Sequence, residues 1–403
     1  MRLGIGKAVI TPPLGTNMGG YGHRDHGAEA VLDDLEVRVF WLSDETPDKA
    51  STATPAACLV CADLIGFDAE LTAAIRADLG AQFGLPPEAV LLAASHTHSG
   101  PQTCLGMVKA GGAADPAYVV TLRQAIGQAV AAARQDQRPV TLAAGRGRLE
   151  GYAINRRVIV DGKATMAPNP DGVRDDDVTV LAFRDAAEYN VIGLLFHYTC
   201  HPTLMGDYRL SADYPGAARR RLEREFPGAA CAFLPGCFGD VRPDCTLVGR
   251  KRFRRGEPAD VDAFGAALAA EAARVAREAC VEVTPRLAAR STWVELPFAA
   301  APQTGRLSLQ RLDLADRVRL AVMGGEICVD YGHFVKSLSP GDFWLGVGYA
   351  NGMLGYVPSA RLFPQGGYEV DGSYAVFGLP SPFQPAIDPL LREALTHLLD
   401  VDH

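Results

Sequence analysis

Apolar segments of strand length that run without a break into polar turns dominate this chain. AVLLAAS at 89–95 leads straight into HTHSGP. VIGLLFHYT at 191–199 leads into CHPT, and CAFLPG at 231–236 into CFGDVRP. RLAVM at 319–323 is followed by Gly324-Gly325-Glu326. Strands this apolar need cover on both faces, so they predict a sheet sandwiched between other layers. Further strands are expected at 2–10, 35–43, 57–65, 140–148 and 178–184, and helices at 69–83, 116–137, 214–226, 258–280 and 388–400. From about 285 the texture turns to strand, in RLAARSTWVELPF, RVRLAVMGGEICVD and WLGVGYAN. The expectation is an α/β (mixed α+β) chain with large mixed sheets flanked by helices. No repeat or linker interrupts it, so 1–403 is read as a single domain, with an α/β part at 1–280 and a β-rich part at 281–403.

Composition narrows the function classes. Net charge is -8, and no basic block exceeds KRFRR at 251–255, so nucleic acid and anionic membranes are not expected partners. The opening MRLGIGKAVITPPLG lacks the pattern of a secretory signal, and no run of 18 apolar residues occurs. Nine cysteines, an odd number, are scattered along the chain, which argues against a disulfide framework. Together these predict a cytoplasmic protein acting on a small molecule. Cys58 and Cys61 form a CxxC, but three residues apart on an apolar strand they face opposite sides, as core thiols do.

Chemistry concentrates at the strand ends. His96 and His98 follow one strand, His201 another, Asp240 a third and Glu326 a fourth. Two histidines spaced i and i+2 at the end of a strand share a face. Imidazoles combined with carboxylate suit Zn²⁺ better than Ca²⁺ or Mg²⁺, and His96, His98 and His201 are the candidates. Competing with this is the ordinary role of a strand-end histidine, a hydrogen-bonded core residue. His197 fits that role. His23 and His26 lie in the Gly-rich loop TPPLGTNMGGYGHRDHG and are expected to face solvent. Long loops of this kind are often functional.

In order along the chain, several segments resemble the neutral/alkaline, non-lysosomal ceramidases, in particular their N-terminal catalytic domain. LGIGKAVITPPLGTNMGGYG at 3–22 resembles the family's opening strand and active-site loop, and SHTHSGP at 95–101 is the most specific match. Asn155-Arg156, HPTLMGDYRLSADYPGAA at 201–218 and GCFGDVRP at 236–243 follow. Glu326 comes after a strand, and Tyr356 and Tyr368 stand 12 residues apart in GYVPSARLFPQGGY. The resemblance implies a zinc centre of His96, His201, Glu326 and Tyr356. It places His98, Arg156 and Tyr368 against the scissile group, His98 as proton shuttle and the other two as oxyanion donors. Gly19, Gly20 and Tyr21 would border the substrate. Asp213 and Asp240 are candidates for orienting ligands or serving as a base, with capping of their own turns as the alternative.

Two departures stand out. The family's serine after Gly-Asp-Val is replaced here by Arg242, which cannot act as nucleophile or base at neutral pH. Attack by zinc-bound water is then expected, with Arg242 holding an acidic substrate group or pairing with Asp240 or Asp213. The family's further immunoglobulin-like domain has no counterpart in the 403 residues. The function expected is zinc-dependent cleavage of an amide in a small soluble molecule, acidic if Arg242 binds it. A carbohydrate deacetylase, esterase or lactonase using the same metal is the rival within enzymes, and a non-catalytic metal-binding protein the rival outside them.

Overall fold

The computed structural model describes residues 1–44, 56–104, 112–249 and 251–399. One large mixed sheet forms its centre. Its strands run in the spatial order Ala230–Pro235, Val191–Tyr198, Asp177–Asp185, Arg138–Arg148, Arg2–Val9, Glu36–Ser43, Ala56–Ala62 and Val90–Ala94, with Val281–Val283 paired beside Arg138–Arg148. The two ends are parallel pairs, Val191–Tyr198 with Ala230–Pro235 and Ala56–Ala62 with Val90–Ala94, and the middle is antiparallel.

Side-chain alternation assigns the two faces. Val37, Val39 and Trp41 pack with the helices Ala69–Phe83 and Pro116–Gln135, while Phe40 and Leu42 face the other way. Val178 and Val180 likewise meet the helices Asp213–Glu225 and Pro258–Arg274, and Leu181 and Phe183 face away. The face turned from the helices packs on a second, four-stranded sheet of Pro285–Pro297, Thr304–Ala315, Val318–Met323 and Phe343–Val347, through Leu312, Leu314, Leu320 and Leu345. Helices Val329–Leu338 and Ile387–Leu399 cover the outer side of that sheet. The result is four layers, helix–sheet–sheet–helix. The mixed α/β class expected from the sequence is what the chain adopts.

Local chemistry explains the boundaries. Helix Ala69–Phe83 starts where the Asp68 carboxylate accepts the Leu71 amide and stops at Gly84, in the left-handed conformation at φ 73°. Helix Pro116–Gln135 presses so hard on strand Arg2–Val9 that a Cβ on Gly4 or Gly6 would lie 1.7 or 1.8 Å from the carbonyls of Ala133 and Ala129. Cys58 and Cys61 are buried in separate core clusters on opposite faces of their strand.

Three features differ from expectation. Asn155 and Arg156 lie on a strand, Ala153–Val160, that forms a hairpin with Lys163–Asn169 and pairs with Val241–Pro243. The strand texture expected through Asp330 stops at Ile327, and Val329–Leu338 is a helix that the sequence pattern does not predict. Helix Pro258–Arg274 passes into a π-helical turn at Val275–Ala279, completing the stretch read as one helix. No described helix is long and apolar enough to cross a membrane.

Candidate metal centre

Strand Val90–Ala94 ends before its histidines do. The Ser95 amide donates to Ala62 O at 2.8 Å, and the chain then turns sharply, with His96 at φ 65°. The His-x-His face expected of an extended strand is therefore not what unites the two rings. A backbone turn does so, bringing Nε2 of His98 to 3.1 Å from Nε2 of His96.

Carbonyl partners assign the tautomers. A carbonyl only accepts, so His96 Nδ1 carries the hydrogen it donates to Ile65 O at 2.6 Å. His201 Nδ1 likewise donates to Phe238 O at 2.7 Å. Each ring therefore turns an Nε2 lone pair inward. Glu326 Oε2 lies 3.7 Å from His96 Nε2 and 3.3 Å from His201 Nε2. His201 Nε2 and Glu326 Oε2 are buried with no hydrogen-bond partner. Burial holds His96 down to about 4 and His201 well below the usual imidazole range, and pushes the Glu326 carboxyl up. His98 Nε2 can donate to His96 Nε2, but the His201 Nε2 and Glu326 Oε2 lone pairs face each other in a dry site with no donor, and that is costly. A divalent cation removes that cost, so these residues fit a metal ion. His96, His98 and His201 also each offer a nitrogen within 4.8 Å of the others.

Tyr356 reaches the same place through strand pairing. Glu326–Ile327 and Tyr356–Val357 run parallel, with Glu326 directly opposite Tyr356. The two side chains hydrogen-bond, and Tyr356 OH also accepts from Arg156 Nη2 at 3.0 Å. Burial holds Tyr356 well above the ordinary phenol range, and the Arg156 charge acts in the opposite direction. Arg156 lies over the Tyr356 and Tyr368 rings, 5.3 and 5.7 Å from their centroids. Gly20, His96, His98, Glu326, Tyr356 and the exposed Tyr368 line a cavity of about 40 Å³, room for a few waters.

The Gly-rich loop closes the other side. Gly19 N donates to Gly100 O at 3.1 Å. Gly20 sits at φ 93°, and a Cβ there would lie 2.6 Å from the His98 ring. Tyr21 packs edge-on against His98, centroids 4.9 Å apart, and donates its hydroxyl to Thr203 O. Burial pushes its phenol up to about 12.

Other sequence candidates lie further out. Asp213 spends its carboxylate on the amides of Leu204, Met205 and Tyr214, and burial pushes it up to about 7. Asp240 accepts from Asn155 Nδ2 and from the Val329 amide, the first of helix Val329–Leu338. Both carboxylates hold backbone at the positions next to the centre. Arg242 lies over the ring of Phe253, 4.1 Å from its centroid, and pairs with neither aspartate. His197 is buried, with Nε2 bonded to Gly346 O. His23 is exposed, and the half-exposed His26 bonds Asp25 and Glu29.

Two contributors escaped the sequence reading. Glu369 binds Arg156 Nε at 2.7 Å and also pairs with Arg157, so it fixes the guanidinium over the tyrosines. Its neighbour Tyr368 was the only signal. Tyr349, in GVGYAN, stacks on Phe238 at 4.1 Å and lies against His96. No polar motif marks it.

The fold is similar to that of the neutral ceramidase from Pseudomonas aeruginosa, with a TM-score of 0.80 and 19% identity over 98% of this chain and 73% of that one. A ceramidase complexed with C2 gives a TM-score of 0.82, again at 19% identity, over 98% and 74% of the two chains. The sequence family described as neutral/alkaline non-lysosomal ceramidase, N-terminal, matches residues 1–289, which hold His96, His98, Arg156 and His201. By that match the chain belongs to the neutral/alkaline non-lysosomal ceramidase family.

Proposed function

We propose that this member of a hydrolase family is a zinc-dependent amidohydrolase acting on a small molecule. The observation that carries the reading is the buried meeting of His201 Nε2 with Glu326 Oε2, neither with a hydrogen-bond partner, beside the Nε2 lone pair of His96. Two imidazoles, a carboxylate and the Tyr356 phenol would hold the ion, a donor set that suits zinc. Zinc supplies Lewis-acid polarisation of a carbonyl and lowers the pKa of water to about 7.

The protein's own residues supply the rest. His98 is kept neutral by burial and by the charges of its neighbours, so it rests as a base. It takes the proton released on attack and hands it to the leaving nitrogen. Its second nitrogen, Nδ1, is buried with no partner. Arg156, held by Glu369, and Tyr368 direct donors at the developing oxyanion. A hollow of about 280 Å³ beside Trp293 and Arg306 shares Met353 and Phe377 with the central cavity and offers room for the rest of a substrate.

The test is metal analysis combined with a substrate panel of simple N-acyl amides, esters, lactones and N-acetylated sugars. Amide cleavage that chelation abolishes and zinc restores supports the reading. Acetate release from the sugars alone would replace it with a carbohydrate deacetylase, and stoichiometric zinc without turnover of any compound with a non-catalytic protein.

A further inference from the structure

Strand Val241–Pro243 pairs with Ala153–Val160 so that Val241 stands opposite Asn155 and Arg242 opposite Ile154. Cross-strand partners share a face, and faces alternate along each strand. Val241 goes into the core. Arg242 therefore shares its face with Ile154 and Arg156. One strand across and two residues along, the two arginines stand roughly 8 Å apart at Cα. Arg242 is also tied to the metal centre through the backbone, because the Val241 carbonyl just before it accepts from both N and Nδ1 of His201.

The guanidinium has no anion. Its face rests on Phe253, its Nε is buried without a hydrogen-bond partner, and no ion pair reaches it from any described residue. Burial and the cation of Arg156 both act against its charge, and Tyr21 beside it stays a neutral phenol. Other buried arginines are satisfied, Arg24 by the carbonyls of Gly19, His98 and Asp207 and the rest by carboxylates. Arg156 and Arg157 meet Glu369, Arg219 meets Asp63, and Arg311 and Arg319 meet Asp313. A largely buried cation beside a second cation is unfavourable until an anion arrives.

We propose that Arg242 receives a carboxylate carried by the substrate, so that the compounds cleaved here are N-acyl amino acids and similar amides with an acid group near the scissile bond. This rests on the amidohydrolase reading above. With its face on Phe253, the guanidinium keeps its planar N–H edge for a ligand, and that edge matches a carboxylate in bidentate fashion. An anchored carboxylate sets the distance from Arg242 to the scissile carbonyl and so selects which amide bond reaches the centre.

The experiment uses two probes with the same amide and ring, N-acetyl-L-phenylalanine and N-acetylphenethylamine, which lacks only the carboxylate. Zinc-loaded wild type, Arg242→Gln and Arg242→Lys are assayed on both. The expected result for Arg242→Gln is a rise in KM of about 10- to 100-fold on the acid, with kcat nearly kept and the neutral probe changed less than about threefold. Arg242→Lys should recover part of the loss. Equal losses on both probes, or none on either, would overturn the proposal. If wild type cleaves neither compound, the amidohydrolase reading is decided by the wider substrate panel above. Calorimetric binding of N-acetyl-L-phenylalanine to wild type and Arg242→Gln then decides the anion site separately, and equal affinity for the two proteins refutes it.

Discussion

Tyr349 leans its ring on His96, centroids 4.3 Å apart, while its backbone ties together the segments that carry two candidate ligands. Its carbonyl accepts the Ala94 amide, at the end of the strand that leads to His96, and its amide donates to Gly325 O, next to Glu326. It holds this post at φ 56°, a left-handed conformation uncommon outside glycine. Its hydroxyl is buried with no hydrogen-bond partner. Tyr349→Phe should therefore leave stability and zinc affinity unchanged or slightly improved. Tyr349→Ala should cost about 3–5 kcal/mol and weaken zinc binding at least tenfold. Denaturant unfolding and a zinc titration measure the two, and a Phe variant as damaged as the Ala variant would contradict the packing role.

His96→Ala and His201→Ala should each lose most bound zinc, because each removes an inward lone pair that its carbonyl partner has fixed. Metal content after gel filtration is the measurement. Stoichiometric zinc in either variant would remove that residue from the ligand set.

Tyr356 and Tyr368 have rings 5.3 Å apart but different surroundings. Tyr356 is buried against Glu326 and Arg156, so its phenolate forms only beside a strong positive charge. Tyr368 is at the rim, with burial pushing it up to about 12, and stays protonated as a donor. Tyr356→Phe should weaken zinc binding, whereas Tyr368→Phe should keep zinc and lower kcat. Equal metal loss in both variants would refute the division.

Gly20→Ala should act on His98 alone. The added Cβ would lie 2.6 Å from the imidazole, and φ at 93° is strained for alanine. We expect kcat to fall at least tenfold while zinc content stays at the wild-type level. Unchanged kcat would mean that His98 does not need its present position.

The metal-free protein should lose stability in weak acid. Burial lowers His197 to about 4 from an ordinary 6.5, so the unfolded chain binds its proton first. The stabilisation is complete above pH 6.5, declines from there to about pH 4 and is flat below. His197→Gln should reduce the slope of unfolding free energy against pH in that window by about one proton, or about 1.4 kcal/mol per pH unit. Urea titrations across pH 4–7 give the slope, and an identical slope in the variant would contradict the assignment.

Much of the fold was legible because apolar runs beside polar turns mark buried strand ends without any long-range information. His96, His201 and Glu326 were visible for that reason. The helix Val329–Leu338 was not, because it holds Val329, Gly332 and Val335, poor helix formers, and its first amide is satisfied by Asp240 from another part of the chain. Glu369 was equally hidden. A buried acid becomes interpretable only when its arginines are located, and Arg156 and Arg157 lie more than 200 residues earlier. The turn at His96 was misread as continued strand, since nothing in Ser-His-Thr-His announces a positive φ at the first histidine.

The direct pairing of Glu326 with Tyr356 has a consequence for biosynthesis. His96 and His201 follow strands of the first sheet, and their partners arrive only when the short parallel ladder of Glu326–Ile327 and Tyr356–Val357 closes. At ribosomal speeds of about 5–20 residues per second, Tyr356 emerges about 10–50 s after His96. Until Glu326 emerges, the proposed centre has imidazoles alone, a set that copper or nickel would take as readily as zinc. Carboxylate and phenol then come as a pair, through one strand register. In the proposed zinc centre, the two donors that follow this register are therefore the last to be completed in translation.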